Sequence, residues 1–139
     1  MELQYKYYRT YLDFYNKNIG SKLKDIDVFL KSKQSFTKDR VTKLLCITEK
    51  NLHSIIKERN ITYINQQNFF EIMISGDSQI CQFYKREIDC GSPQKYTADD
   101  MAYIYEIDKK IIQNIFENMG VTYIYNHDIP HVLSLIKLK

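Results

Sequence analysis

Residues 36–73 read FTKDRVTKLLCITEKNLHSIIKERNITYINQQNFFEIM, and residues 96–133 read YTADDMAYIYEIDKKIIQNIFENMGVTYIYNHDIPHVL. Shifted by 60 residues, the two stretches align without a gap and share eight identities: Thr37/Thr97, Asp39/Asp99, Ile47/Ile107, Lys50/Lys110, Ile55/Ile115, Thr62/Thr122, Tyr63/Tyr123 and Ile64/Ile124. Ten further positions are apolar in both copies, among them Val41/Met101, Leu44/Ile104, Leu52/Ile112, Ile56/Phe116 and Ile61/Val121. The shared positions recur at helical spacing, so they read as the core-facing residues of one supersecondary unit used twice.

Each copy parses in the same order. Thr37 or Thr97 is a good N-cap, with acid in the turn that follows. Val41, Leu44 and Leu45 then follow at helical spacing, and Ile47 falls in a short turn. Thr48 or Asp108 caps a second helix in which Leu52, Ile55, Ile56 and Arg59 share a face. Asn60 or Gly120 ends it, both residues that tolerate a left-handed C-cap. Ile61–Ile64 is a short extended segment, rich in β-branched and aromatic residues. A third helix carries Phe69, Phe70, Ile72 and Met73. In the second copy Pro130 fits the first turn of that helix. One arrangement open to 61–64 and 121–124 is pairing with each other, which would join the two copies.

Outside the repeats, residues 3–18 and 19–33 read as two helices with Gly20 as the break. Tyr7, Tyr11 and Phe14 recur on one, and Leu23, Ile26 and Leu30 on the other. Packing on the first repeat is the leading reading of the aromatic run, with base stacking and dimerisation as alternatives. Between the repeats, Gly76-Asp77-Ser78 starts a helix holding Ile80, Cys81, Phe83 and Tyr84, with Lys85 and Arg86 exposed. Cys90-Gly91-Ser92-Pro93 closes it as a loop. The expected fold is therefore mainly α: two tandem helix-turn-helix units with very short β-strands, preceded by an N-terminal helical hairpin. The expected segments are 1–35 (hairpin), 36–75 (first unit), 76–95 (connecting helix and loop) and 96–139 (second unit).

The chain has 139 residues, 44% of them hydrophobic, enough for a packed core, with four Gly and two Pro arguing against long linkers. The opening stretch lacks an apolar run behind a basic end, and no apolar run is long enough to cross a membrane. Cys46, Cys81 and Cys90 are odd in number and lack CxxC spacing, so disulfide and zinc frameworks read poorly and a reduced, cytoplasmic protein is expected. The net charge of +3 is uneven: residues 1–35 carry +3, residues 36–95 carry +2 and residues 96–139 carry −2. A basic front and an acidic back suggest unequal roles for the two copies.

The sequence offers little catalytic chemistry. His127 and His131 lie four apart beside Asp128, but Pro130 stands between them and no third ligand is evident, so no metal site is expected. Asp99, Asp100, Glu106 and Asp108 read as helix-start charges on a solvated face. Four glycines make no phosphate-cradling loop. Neither an enzyme nor a cofactor is expected.

The order helix, turn, helix, short strand, helix resembles the helix-turn-helix of excisionase and MerR-type proteins. Those open with Tyr-Thr-x-x-(Asp/Glu)-Val-Ala-x-Leu-Leu-x-(Val/Ile)-(Ser/Thr), matched here by Phe36-Thr37, Val41, Leu44-Leu45 and Ile47-Thr48. Their recognition helix ends in Ile-x-Lys-Glu, matched by Ile55-Ile56-Lys57-Glu58. Their β-hairpin wing is usually longer, and Ile61–Asn68 leaves room for a single strand. The resemblance implies double-stranded DNA as partner and a regulatory role, as a transcription regulator or an excisionase-like factor of a mobile element. The second helix would enter the major groove, showing Lys50, Asn51, Ser54 and Lys57 with His53 at the side. Asn pairs bidentately with adenine, and Lys reaches guanine or phosphate. Lys38, Arg40 and Lys43 on the first helix would hold the backbone. In the second copy the same face shows Lys109, Lys110, Gln113, Asn114, Glu117 and Asn118 behind an acidic first helix, which suits a protein partner better. A protein-binding adaptor or inhibitor, or a homodimer, is the alternative reading, and no membrane contact is expected.

Overall fold

The computed structural model describes residues 7–138, so residues 3–6 of the first expected helix lie outside it. The protein is mainly helical, with one small antiparallel pair of strands among the described residues. Two compact units emerge. One is Asn18–Lys85, and the other is built from the described chain on either side of it.

The unit Asn18–Lys85 contains α2 (Ser21–Lys31), α3 (Lys38–Leu45), α4 (Glu49–Glu58), α5 (Gln66–Ser75) and the first part of α6 (Gln79–Asp89). Its core is made by the repeat's apolar positions: Val41, Leu45, Leu52, Ile55, Phe69, Ile72 and Met73 are all buried. Phe29 of α2 and Phe36 close the core over Phe69, with ring centroids 5.0 Å apart for Phe29–Phe36 and 5.7 Å for Phe36–Phe69. Three helix starts are capped by side chains. Thr37 accepts from the Arg40 N–H, Thr48 from the Asn51 N–H, and Asn65 and Asn68 form a reciprocal box. Cys46, at φ 56°, takes the left-handed conformation that ends α3, and the Ile47 N–H closes back on the Thr42 carbonyl at 3.1 Å.

The other unit contains α1 (Tyr11–Tyr15), the end of α6, β1 (Lys95–Thr97), α7 (Ala98–Tyr105), α8 (Lys109–Met119), β2 (Tyr123–Tyr125), a 3₁₀ turn (Asn126–Asp128) and α9 (Ile129–Ser134). The copies superpose in sequence position: α7 is α3 displaced by 60 residues, and Glu106, at φ 54°, repeats the left-handed turn of Cys46. The Ile107 N–H to Ala102 carbonyl bond repeats Ile47 to Thr42, and Val121 to Phe116 repeats Ile61 to Ile56. The last carbonyls of α3 and α7 are also met alike, by different donors. The Ser78 hydroxyl reaches the Leu45 carbonyl at 2.6 Å, and the Tyr11 hydroxyl reaches the Tyr105 carbonyl at 2.6 Å. Each bond satisfies a helix-end acceptor that has no partner within its own helix.

The structure departs from the sequence reading at four places. Gly20 keeps right-handed helical dihedrals (φ −58°, ψ −43°), and a π-helical stretch, Asn16–Gly20, joins α1 to α2. The N-terminal helical hairpin expected over 1–35 is therefore absent among the described residues, because a single Gly costs a helix only about 1 kcal/mol and does not force a turn. Tyr7 lies in a turn before α1 and is exposed, whereas Tyr11 and Phe14 are buried. Arg86 is not free: its Nε donates to the Ile104 carbonyl at 2.8 Å and its guanidinium pairs with Glu106 at 3.4 Å. Finally, 61–64 and 121–124 do not pair with each other. β2 pairs instead with β1, in the register Lys95↔Tyr125, Tyr96↔Ile124 and Thr97↔Tyr123. In the first copy the matching residues form no strand, because Phe36 packs onto Phe29 and Phe69, and Asn65, a poor strand former, caps α5.

Candidate nucleic-acid interface

α4 is amphipathic because Leu52 and Ile55 are pulled into the core. That rotation fixes what faces water. Lys50, His53, Ser54 and Lys57 are exposed, at the i, i+3, i+4 and i+7 spacing that places them on one stripe. Lys38, exposed at the start of α3, joins Lys50 and His53 around a concavity of about 410 Å³, completed by Glu49, Leu52 and Ile56. None of Lys38, Lys50, His53 and Lys57 has an acidic partner among the described residues. The stripe is thus a set of donors outside any ion pair among the described residues, with Glu49 at the rim of the same concavity and Ser54 able to accept as well.

The other cations from the sequence reading sit elsewhere. Lys43 pairs with Asp39 at 3.2 Å on its own helix. The Arg40 guanidinium donates to the Gln34 side chain and lies 5.8 Å from the Phe29 ring centroid. Both are exposed, and both line a second concavity of about 300 Å³ with Lys22, Asp25, Leu44 and Cys46. An exposed ion pair of this kind is worth little, so Lys43 can turn to another anion at small cost. Lys22 is the cation that reading the repeat alone missed. It lies on α2, outside the repeated stretch, and only the packing of α2 beside α3 brings its Nζ within 3.2 Å of the Cys46 sulfur.

Asn51 lies apart from this stripe. It is half-buried, and its Oδ1 accepts from the Asp77 N–H at 3.1 Å. Bidentate pairing with adenine needs that same oxygen. Asn51 therefore holds the entry of α6 onto α4, where sequence reasoning placed it beside Lys50.

The second copy carries different chemistry at equivalent positions. Lys38, Arg40, Lys43 and Lys57 become Ala98, Asp100, Tyr103 and Glu117. Lys110 keeps the place of Lys50, whereas Lys109 is held by Asp99 at 2.6 Å. Ile111 stands where Asn51 does and is 44% exposed. His127 stacks on Tyr125 and lies 3.5 Å from the Asp128 carboxylate.

No family model, curated protein or solved structure matches the chain. No helix among the described residues is long and apolar enough to cross a membrane.

Proposed function

We propose that this is a small DNA-binding regulatory protein that reads duplex DNA through the outer stripe of α4. The observation that carries the reading is the set Lys38, Lys50, His53 and Lys57, exposed together on the helix-turn-helix of the first copy without an acidic partner among the described residues. Lys50 and Lys57 would contact base edges or phosphates in the major groove, with Ser54 between them. Lys38 would hold the backbone on one flank, and Arg40, Lys43 and Lys22 on another. The likeness to excisionase and MerR-type helix-turn-helix units supports this choice of partner. A transcription regulator and an excisionase-like factor of a mobile element both fit such a surface. A second reading, a protein-binding adaptor, is favoured by Ile111, an exposed aliphatic side chain on the helix of the second copy that corresponds to α4.

The test is fluorescence anisotropy with labelled duplex DNA from upstream of the gene, at about 50 and 200 mM salt. The expected result is affinity that falls steeply with salt. Lys50→Ala and Lys57→Ala should each weaken it, and removing a lysine that touches phosphate should lower the salt slope by about 1. An absence of salt-sensitive binding to this or to random duplex would overturn the reading.

A further inference from the structure

The β1–β2 ribbon has one buried and one open face. Tyr96 and Ile124 point inward, and Lys95, Thr97, Tyr123 and Tyr125 face water. Three aromatic rings follow at alternate positions: Tyr123, Tyr125 and His127. The Tyr123 and Tyr125 centroids are 5.6 Å apart, with the rings edge to face. Tyr125 and His127 are stacked, 5.8 Å apart and 9° from parallel. Tyr123 is 39% exposed and Tyr125 is 43% exposed. The Lys95 ammonium sits 4.8 Å from the Tyr123 ring centroid. A concavity of about 440 Å³ opens beside the rings, lined among others by Met119, Val121, Thr122 and Asp128.

These features are specific to the second copy. In the first, Tyr63 is 72% exposed but stands alone, with Asn65 and Gln67 where Tyr125 and His127 would be, and no ribbon forms. The rings are also held in place from below. Ile124, between them in the strand, is buried, and the Tyr125 N–H donates to the Asp128 carboxylate at 3.0 Å. A water-facing row of rings beside a lysine matches the face of a nucleobase and the charge of its phosphate. In a duplex the base faces are covered by their neighbours, so such rings reach unpaired bases. Asp128 is the nearby anion; its carboxylate accepts from the Tyr125 N–H at 3.0 Å and lies 3.5 Å from His127 Nε2.

We propose that Tyr123, Tyr125 and His127, with Lys95, form a base-stacking platform for single-stranded nucleic acid. This platform is separate from the duplex-reading stripe on α4 and does not depend on it. Stacking on rings is tolerant of sequence, so the platform would accept any unpaired run a few nucleotides long.

The test uses the full chain and a labelled oligothymidine of about 12 nucleotides, within the span of known single-strand sites. Wild-type protein should bind it. Tyr123→Ala/Tyr125→Ala should lose roughly tenfold or more in affinity, while Tyr123→Phe/Tyr125→Phe should stay within about twofold, because phenyl rings also stack. Lys95→Gln should weaken binding and lower the salt slope by about 1. The Ala variant should keep the duplex affinity of the wild type, which separates this proposal from the duplex reading. An unchanged circular-dichroism melt of each variant secures the comparison, and the Phe and Gln variants serve if the Ala variant melts early. No binding to the unpaired strand would overturn the platform. So would equal affinity in the Ala and wild-type chains, or loss in the Phe variant as large as in Ala.

Discussion

Asn51 illustrates how a single hydrogen bond reassigns a residue. Its Oδ1 is used by the Asp77 N–H, so its loss belongs to stability. Asn51→Ala should cost about 0.5–1.5 kcal/mol in urea unfolding, the ordinary worth of one such bond. Lys50→Ala, at an exposed position with no acidic partner among the described residues, should change stability by less than about 0.5 kcal/mol while weakening DNA binding. An Asn51→Ala chain as stable as wild type but altered in base preference would contradict this assignment. Gly76 is a second residue fixed by packing. A methyl group there would collide with the Cys81 sulfur and come within 3.1 Å of Ile47 Cγ2. Gly76→Ala should destabilise by about 1–3 kcal/mol, as overpacking does, and a melting temperature equal to wild type would refute it. Glu87 adds a pH term. Burial holds its carboxyl above the usual carboxylate range, against a hydrogen bond with Tyr96 that lowers it. In return the Tyr96 hydroxyl is pushed up to about 12, first by its own burial and then by Glu87. A carboxyl with a raised folded-state pKa holds its proton more tightly when folded, so its ionisation opposes folding. The penalty is absent while both states are protonated, grows as pH rises through the carboxylate range, and is complete above the folded-state value. Glu87→Gln should therefore melt higher than wild type at pH about 7 and equal to it near pH 3, below the ordinary carboxylate pKa. A variant that melts lower at neutral pH would show that the charged form is the stabilising one.

At the scale of elements, the helix-turn-helix rests on its caps and its buried stripe. Thr48 accepts the Asn51 N–H at 3.0 Å and opens α4. Thr48→Ala should cost about 1 kcal/mol, measured by chemical unfolding. Phe69→Ala removes a fully buried ring and should cost about 3–5 kcal/mol. These elements were legible in the sequence because their causes are local. Caps and apolar spacing lie within a dozen residues, and the repeat doubled the signal, so α3 and α7 begin where Thr37 and Thr97 indicate. Elements whose causes lie far away in the chain were not legible. The β1–β2 ribbon depends on Lys95–Thr97 meeting Tyr123–Tyr125, and β1 lies before α7, where nothing marks it as a strand. The run through Gly20 looked like a break because propensity favoured one, yet Ile19 and Ile26 are buried on either side of it and packing overrides propensity. On the candidate face, the exposed lysines followed from the helical period. Asn51 lies at its edge, where a turn of α4 by a fraction of a residue decides between water and core.

Across the whole molecule, one unit has been kept twice while its surface has diverged. The apolar positions kept in both copies fill cores and Thr37/Thr97 cap helices, while Asp39/Asp99, Lys50/Lys110, Thr62/Thr122 and Tyr63/Tyr123 are shared and exposed, and the charges around them differ. The first copy gathers Lys38, Lys50, His53 and Lys57 on one face, whereas the second places Ala98, Lys110, Gln113 and Glu117 at the same positions. The proposed duplex contact accordingly falls to the first copy. The most direct test is a backbone amide NMR titration of the full chain with its upstream duplex. Shifts should concentrate at Lys38, Lys50, His53, Ser54 and Lys57, with Lys110, Gln113 and Glu117 left in place. Shifts centred on the second copy's residues, or none in either, would contradict it.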